Sequence, residues 1–474
     1  MIMWGEMIRY SGTYTDQYEL AMAQVYYLSG RKQDKAVFDY FFRKNPFDSG
    51  YTIFAGLNDL LDVLENLKFD DDDIAFMREQ NHDPEFLEYL KDFKFNGDIY
   101  ACNEGEIVFG LEPILRVEGT LIEVQIIETL LLNILNFQSL IATKASRMRN
   151  AARDHLLLEF GLRRAQGPSG YYATKASIIG GFDSTSHVKA AKDLGLTPSG
   201  TMAHSFIQSE SDELSAFRKF AEYRPEDCVL LLDTYNTLKS GLPNAITIAK
   251  EMEKKGQKLM GVRLDSGDFD YLSRACRKAL DEASLPYVKI VASNQLDEFV
   301  IDSLIKQEAP IDVFGVGTKL VTGFPDGALD GVYKLSEVNG NPKIKISDNI
   351  LKISLPHKKQ VFRAIDEEGM FLGVDAIGLH DEQDISYIQH PVDPLSSVDI
   401  TQYKKEPLLT LKMRNGKRTL PSPSIDSIKM YLVNRLSLLP VEYKRFTNPH
   451  IYKIGLTENL KMVRDQLIKE HKKK

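Results

Sequence analysis

The chain is poor in cysteine and contains no cysteine pattern typical of a metal site. Its 474 residues include three cysteines, Cys102, Cys228 and Cys276, and no two of them form a CxxC pair. Structural zinc sites need closely spaced cysteine and histidine ligands, and disulfide frameworks need more cysteines than this. We therefore expect buried free thiols. Free thiols fit a reducing compartment, so the predicted location is the cytoplasm.

The sequence also lacks a long apolar run and an excess of positive charge. Its richest apolar stretch, 121–137, contains Glu123 and Glu128, and we interpret it as a strand followed by a helix. A membrane span would need about 20 apolar residues. Residues 1–14 contain no apolar core of a secretory signal. The net charge of -8 argues against a general nucleic-acid binder, which usually presents a basic surface.

Apolar strands and helical patterns alternate through the middle of the chain, which is too long for one ordinary domain. Strands are predicted at 156–160, 198–203, 228–233, 258–264, 287–292 and 311–315, and helices at 127–153, 186–194, 212–222, 241–255, 269–283 and 297–307. The best-defined strands begin roughly 25–30 residues apart, which is typical of βαβ units and a parallel sheet. From residue 332 onward the pattern indicates antiparallel strands, with a hairpin turn at Asn339-Gly340.

Short polar motifs follow the apolar segments, at the strand ends where ligand sites of βα folds occur. They are Glu159-Phe-Gly-Leu-Arg163-Arg164, Gly181-Phe-Asp183-Ser-Thr185, Ser199-Gly-Thr201-Met-Ala-His204, Asp233-Thr-Tyr-Asn-Thr237, Gly261-Val-Arg263-Leu-Asp265-Ser-Gly-Asp268, Ser293-Asn294 and Phe314-Gly315-Val-Gly317-Thr318. Guanidinium groups, carboxylates, one histidine and backbone donors would converge there, and that set suits phosphates and a metal ion.

The segment from Arg263 to Asp268 carries the strongest of these signals. Strand alternation places the side chains of Arg263 and Asp265 on the same side. One arginine and two aspartates suit a site that binds a polyphosphate and its metal. A surface charge cluster is the alternative, and the apolar residues before Arg263 argue against it.

His204 and Asp233 each have a structural and a functional interpretation. A histidine near phosphates acts as acid or base, or accepts a phosphoryl group, whereas a lone histidine at a strand end is usually structural. Asp233 binds Mg²⁺ or holds His204 in one tautomer, or it simply caps a turn.

The remaining motifs are weaker when each is taken alone. Arg163 either grips a phosphate or forms a surface ion pair, and Phe160 is either core or a platform for an aromatic ring. Asp183 either caps a helix or serves a bound ring or phosphate at a helix N-terminus. Gly315 and Gly317 suggest backbone donors that cradle phosphate, and Thr318, Ser293 and Asn294 are candidates to add to them.

Together these motifs resemble those of nicotinate phosphoribosyltransferases. The resemblance runs from Thr15-Asp-Gln-Tyr18-Glu-Leu20 to about Tyr333, and its most specific parts are 159–166, 180–204 and 263–268. It implies an α/β fold: an irregular βα (TIM-like) barrel at 131–334, packed against a mixed α/β domain of 1–130 plus 335–400. A C-terminal extension would occupy 401–474.

The resemblance further implies that nicotinate and phosphoribosyl pyrophosphate react to nicotinate mononucleotide and pyrophosphate, coupled to ATP hydrolysis with Mg²⁺, in NAD salvage. The enzyme would be a homodimer with composite active sites and without an organic prosthetic group. The resemblance implies that His204 is the phosphorylated histidine and that Asp233 orients it. It implies that Arg263 and Thr201 contact nicotinate or its nucleotide, that Phe160 and Tyr18 of a partner subunit stack on the pyridine ring, and that Asp265 and Asp183 line the ribose and ring sites. The residues that would bind phosphates are Arg163, Ser293, Asn294, Gly315, Gly317 and Thr318.

Other functions remain as alternatives. Nicotinamide phosphoribosyltransferases share the fold, although the segment 15–20 and the double arginine resemble the nicotinate enzymes more. Quinolinate phosphoribosyltransferases are shorter and need a more basic pocket. A non-catalytic nucleotide sensor need not keep His204, Asp233 and Arg263 together, and a Schiff-base lyase would have to use Lys319.

Overall fold

The computed structural model describes residues 10–347, 353–391 and 396–472. The chain divides into two compact units. We call Met1–Leu140 with Ala328–Lys474 the mixed unit, and Ile141–Gly327 the parallel-sheet unit. Three parts of the chain lie outside the described residues. They are residues 1–9, which are most of the segment 1–14 discussed above; residues 348–352 and 392–395 of the predicted mixed domain; and the last two lysines of the predicted extension.

The parallel-sheet unit contains a six-stranded parallel sheet. In chain order its strands are β1 (Leu156–Glu159), β2 (Ser184–Thr185), β3 (Val229–Leu231), β4 (Gly261–Leu264), β5 (Lys289–Ser293) and β6 (Val313–Val316). They lie side by side in the order β2-β1-β6-β5-β4-β3, and every pairing is parallel. The helices are Ser169–Ile179, Val188–Leu194, His204–Gln208, Glu213–Tyr223, Leu242–Lys254, Phe269–Glu282, Glu298–Lys306 and Thr318–Val321.

Five of the six predicted strands of this sheet are present, but the strand predicted at 198–203 is wrong. Those residues have no regular secondary structure, and Ser199 N donates a single backbone bond to Thr185 O at 2.8 Å. Pro198 has no N–H to donate, and Gly200 offers no side chain to pack. The strand next to β1 is instead the short Ser184–Thr185.

The sheet brings the carboxyl ends of its strands to one edge, because neighbouring parallel strands run in the same direction. The register sets Ser293 beside Gly315, and Val316 beside Glu159. Two helices begin immediately beyond this edge. Asp268 accepts from Tyr271 N at 2.9 Å and so caps the helix Phe269–Glu282, and Asp297 caps Glu298–Lys306 in the same way.

The mixed unit contains two larger sheets and a two-stranded one. The seven-stranded sheet has the order Asn341–Pro342, Gly331–Val338, Lys35–Phe42, Leu115–Thr120, Asp98–Ala101, Thr410–Arg414, Lys417–Arg418; the six-stranded sheet has the order Ser397–Asp399, Tyr387–Gln389, Lys453–Thr457, Phe371–Leu379, Lys359–Ile365, Lys404–Pro407; and the small sheet pairs Thr52–Ile53 with Ile107–Val108. Its helices are Gln17–Leu28, Leu57–Asn66, Asp71–Glu79, Pro84–Lys91, Leu121–Ile126, Ile425–Leu438 and Glu458–Lys472. Glu128–Ala152 begins in the mixed unit and continues into the parallel-sheet unit.

The C-terminal segment, predicted as an extension at 401–474, contributes strands to both larger sheets. Thr410–Arg414 pairs with Asp98–Ala101, and Lys453–Thr457 pairs with Phe371–Leu379. Both strands bury apolar residues, such as Met413 and Leu456, that would otherwise face water.

The three cysteines are buried free thiols, as the sequence predicts. Burial raises the pKa of the Cys228 and Cys276 thiols to about 12, so neither thiol ionises at neutral pH. None of the helices in the described ranges is long and apolar enough to cross a membrane.

Arg363 is a fully buried cation in the mixed unit. Its guanidinium lies 2.7 Å from Asp375 Oδ2 and 2.8 Å from Glu106 Oε1, and all three side chains are at most 2% exposed. The Phe371 ring centre lies 4.6 Å from its central carbon. A buried ion pair adds little over apolar packing, but removal of one partner leaves a charge with neither water nor a counter-ion.

We therefore expect Arg363→Leu to lower the free energy of unfolding by about 3–5 kcal/mol. The matched control is Arg414→Leu, which breaks the 3.1 Å pair with Asp98 on a side chain that is 54% exposed, and it should cost less than about 1 kcal/mol. Urea unfolding of both variants measures the difference. Equal losses of unfolding free energy in the two variants would contradict the prediction that breaking the buried ion pair costs more.

Candidate functional site

Arg263 is the centre of the strand-end site. Its Nε donates to Ser293 Oγ at 2.8 Å, and Nη1 donates to Thr201 Oγ1 at 3.0 Å. Nη2 lies 2.5 Å from Asp265 Oδ1. The arginine at the end of β4 is therefore bound to the end of β5 and to the segment before His204. These four predicted site residues lie together in the structure.

Asp265 orients this arginine and provides its counter-charge. Burial disfavours ionisation of the Asp265 carboxyl, but a hydrogen bond from Ser293 and the guanidinium of Arg263 outweigh it, so its pKa is lowered. Ser293 Oγ donates to Asp265 Oδ1 at 2.5 Å. Asn294 has φ 77°, and its amide donates to Asp265 O at 3.1 Å. The cluster thus offers a fixed guanidinium, suited to a carboxylate or phosphate.

The ring of Phe160 lies on the same edge of the sheet. The central carbon of Arg263 is 5.9 Å from its ring centre. A Cβ atom at Gly315 would lie 2.5 Å from the Phe160 ring, and one at Gly317 would lie 2.9 Å from Phe160 O. Gly315 therefore makes room for the ring, which the sequence did not predict.

His204 begins the helix His204–Gln208 and is half-buried. Its Nδ1 lies 3.1 Å from Thr234 Oγ1. Asp233 does not bind the histidine here: its Oδ2 accepts from Ser266, and its Oδ1 is buried without a hydrogen-bond partner. The expected Asp233–His204 pair is thus absent from the described contacts, and Asp233 keeps a free acceptor.

Asp183 does not lie with this cluster, so the prediction that it belongs to the strand-end site is wrong. It precedes β2, so it lies at the amino end of the sheet. Its Oδ2 accepts from Leu157 N at 2.9 Å and pairs with Arg149. The helix that follows begins at Val188, with His187 at its N-cap, so Asp183 is not a cap either.

The other predicted residues are exposed or lie in the mixed unit. Arg163 and Thr318 are exposed at the carboxyl ends of β1 and β6, where a ligand would meet them. Tyr18 lies on the mixed-unit helix Gln17–Leu28 and is 49% exposed.

Three family models match the chain. The model of the nicotinate phosphoribosyltransferase (NAPRTase) N-terminal domain matches residues 13–136, that of the NAPRTase family matches 156–390, and that of the C-terminal domain matches 358–464.

Individual relatives match along almost the whole chain. The nicotinate phosphoribosyltransferase of Bacillus subtilis is 43% identical and covers 94% of this chain and 93% of its own; that of Dictyostelium discoideum is 37% identical, with 94% and 86% covered. The crystal structure of the human nicotinic acid phosphoribosyltransferase matches with a TM-score of 0.85 and 32% identity, over 96% of this chain and 99% of that one.

The chain belongs to the nicotinate phosphoribosyltransferase family. Its mixed α/β fold is the fold of the human structure, and the family model covers the whole of the strand-end cluster.

The structure identifies supporting residues of the strand-end site that the sequence did not. Thr234 binds His204, and Ser266 binds Asp233. Both lie inside motifs that the sequence singles out, Asp233-Thr234 and Asp265-Ser266, so their hydroxyl groups were the available signal. Spacing alone does not show which neighbour a hydroxyl contacts.

Within the described residues, no group of three or more metal-type ligands lies close together. Asp268, a candidate for metal binding, caps a helix through its Oδ1. Asp233 Oδ1 is buried without a hydrogen-bond partner, and a carboxylate oxygen is the type of ligand that suits Mg²⁺.

The close contact between Gly315 and Phe160 predicts a steric penalty. Gly315→Ala should lower the free energy of unfolding by about 1–3 kcal/mol, because the new methyl group overlaps the ring. Gly200→Ala is the control, since a Cβ there would meet nothing within 4 Å. Urea unfolding midpoints should fall for the first variant and stay or rise for the second; unchanged stability of Gly315→Ala would contradict the packing.

Proposed function

We propose that the protein makes nicotinate mononucleotide and pyrophosphate from nicotinate and phosphoribosyl pyrophosphate, in NAD salvage. The observation that carries the proposal is the fixed guanidinium of Arg263 beside the Phe160 ring, 5.9 Å away. A cation beside an aromatic face fits a planar ring that bears a carboxylate. Relatives at up to 43% identity carry the name of this activity.

The two substrates would occupy neighbouring parts of the strand-end edge. Nicotinate would stack on Phe160, with Arg263 and Thr201 at its carboxylate. Phosphates would lie on the turns after β1, β5 and β6, where the groups that face solvent include Arg163, Asn294 and Thr318. Asp265 would line the ribose site.

The reaction breaks the ribose C1–pyrophosphate bond and forms the bond from C1 to the pyridine nitrogen. Positive charge develops on the ribose and negative charge on the leaving group. The protein would position the two reactants and stabilise the leaving charge. Mg²⁺ supplies charge neutralisation at the phosphates, and Asp233 is the residue that would hold it.

We further propose that ATP hydrolysis is coupled through phosphorylation of His204. Its Nδ1 lies against Thr234 at 3.1 Å, which leaves the other ring nitrogen for a phosphoryl group. Transfer moves the γ-phosphoryl group from ATP to nitrogen with release of ADP, and hydrolysis of the phosphohistidine releases phosphate. The phosphorylated site would bind phosphoribosyl pyrophosphate more tightly.

We also propose that the parallel sheet closes into a barrel and that two copies complete each site. The segment 198–203 carries one hydrogen bond to β2, from Ser199 N to Thr185 O, and it lies between β2 and β3 in the chain. Closure through this segment would leave the sheet without open edges. Tyr18, 49% exposed on its helix, would stack on the nicotinate ring of the partner copy.

A Schiff-base lyase is not favoured by the geometry. Lys319 Nζ lies 2.5 Å from Asp297 Oδ2, and it is largely shielded from solvent. The hydrogen bond from Lys319 and its charge help to lower the pKa of Asp297, against the effect of burial. Lys319 would have to leave this ion pair before its amine could attack a carbonyl group.

The test of the activity is a paired assay of the purified protein with phosphoribosyl pyrophosphate, Mg²⁺ and ATP. Nicotinate should give its mononucleotide, and nicotinamide under the same conditions should give at least a hundredfold less, because the neutral amide cannot pair with Arg263. Equal or preferred use of nicotinamide would reassign the substrate. Absence of product from both would favour the non-catalytic alternative.

The test of coupling is the variant His204→Ala, which should abolish nicotinate-dependent ADP release while leaving slow mononucleotide formation. His155→Ala is the control: His155 Nδ1 lies 2.9 Å from Ala152 O, just before the amino end of β1. Product and ADP should stay matched in the control. Matched ADP release in His204→Ala would refute the phosphohistidine.

A further inference from the structure

Glu159 is a fully buried carboxylate at the carboxyl end of β1. Its Oε1 accepts from the backbone N–H of Gly161. Its Oε2 lies 2.9 Å from Thr174 Oγ1 and 2.5 Å from Thr185 Oγ1. One side chain thus contacts the turn after β1, the helix Ser169–Ile179 and the strand β2.

These partners are neutral. In the described part of the chain, no lysine, arginine or histidine forms a salt bridge with Glu159. A buried carboxylate is costly unless hydrogen bonds satisfy it. The arrangement around Glu159 therefore ties three segments together by directed hydrogen bonds, and not by charge pairing.

The turn held by Glu159 carries Phe160, the predicted platform for the nicotinate ring. Arg163, a predicted phosphate contact, lies beyond it in the helical turn Leu162–Arg164, which has its own bond from Arg164 N to Gly161 O at 2.7 Å. Phe160 N donates to Val316 O at 2.7 Å, which fixes the backbone on one side of the ring. On the other side, Gly161 N–H is bound by Glu159. A side chain at Gly161 would clash with Val321, since a Cβ there would lie 2.2 Å from Val321 Cγ1. The turn has little room to adopt another path.

We propose that Glu159 is a positioning residue for the nicotinate ring: through the Gly161 N–H it holds the Phe160 ring against Gly315 and opposite Arg263. The inference rests on the proposed function, since the ring it positions is the one on which nicotinate would stack. Without this anchor Gly161 N–H loses its acceptor. The Phe160 N bond to β6 and the bonds from Arg164 N and Ala165 N to Gly161 O remain, but none of these fixes the peptide between Phe160 and Gly161 on its N–H side, and the ring can shift. A shift of about 1 Å in a group that orients a substrate is costly to turnover or binding.

Three substitutions separate positioning from charge. Glutamine keeps the length of the side chain; its oxygen can face Gly161 N–H while its amide group donates to the threonine hydroxyls, which also accept. Aspartate keeps the charge but is one methylene shorter, so it cannot reach all three partners. Alanine removes every contact.

The experiment measures kcat and KM of the purified full chain for both substrates. Glu159→Ala and Glu159→Asp should raise KM for nicotinate about tenfold, with KM for phosphoribosyl pyrophosphate within about twofold of wild type. Glu159→Gln should keep the KM values for both substrates within about twofold of wild type. If the alanine variant does not fold, the aspartate variant carries the test.

The control is Glu104→Ala in the mixed unit. Glu104 is 5% exposed and also anchors a turn, accepting from Gly56 N at 2.7 Å and Asn58 N at 2.9 Å. It should lower the melting temperature without a selective rise in KM for nicotinate. A rise equal to that of Glu159→Ala would show a general loss of stability and overturn the inference.

A double-mutant cycle with Phe160→Leu tests whether Glu159 acts through the ring. In that background Glu159→Asp should change KM for nicotinate by less than about twofold, because the ring is already lost. An undiminished effect would contradict positioning through Phe160. A loss of kcat in Glu159→Gln would instead assign the effect to charge and also overturn the inference.

The outcomes separate this inference from the function on which it rests. An inactive wild-type protein removes both. An active, nicotinate-specific wild type with unchanged KM in Glu159→Asp and Glu159→Ala removes the positioning role alone.

Discussion

The strand-end site depends on one hydrogen-bonded guanidinium. Arg263 leaves the end of β4 and is bound by Asp265 on its own segment, by Ser293 at the end of β5 and by Thr201. A free arginine side chain has many rotamers, and each fixed donor removes some of that freedom. The same bonds hold segments that are far apart in the sequence. The geometry of the site thus follows from the hydrogen bonds that one partly buried cation makes.

A second layer of contacts holds the residues that would touch substrates. Glu159 anchors the turn of Phe160, Thr234 binds His204, and Ser266 binds Asp233. Each supporting group is a polar side chain at, or two to three residues beyond, the carboxyl end of a strand. Rigid support of this kind lets loops carry function without moving out of place.

The sequence predicts the strand-end cluster well where the physical signal is local. Buried apolar runs followed by polar residues located Arg263, Asp265 and Ser293 at one edge, because parallel strands share a direction. Asp183 could not be placed in this way, since the two-residue strand after it is too short to leave a pattern. A longer strand would have left an apolar pattern after Asp183, and that pattern would have placed Asp183 at the start of the strand.

Other features depend on contacts between distant residues, which spacing does not encode. The sequence suggests phosphate binding by Gly315, and the structure adds that this position must be small because the Phe160 ring lies against it. Glu159 stands first in its motif, yet no sequence pattern shows that Thr174 and Thr185 meet it. The C-terminal strands likewise pair with segments about 80 to 300 residues away.

The most direct measurement is a crystal structure of the protein with bound nicotinate mononucleotide. The account predicts the pyridine ring on the face of Phe160, its carboxylate at Arg263 and its phosphate on the turns after β5 and β6. A nucleotide bound elsewhere, or a ring that contacts neither Phe160 nor Arg263, would contradict it.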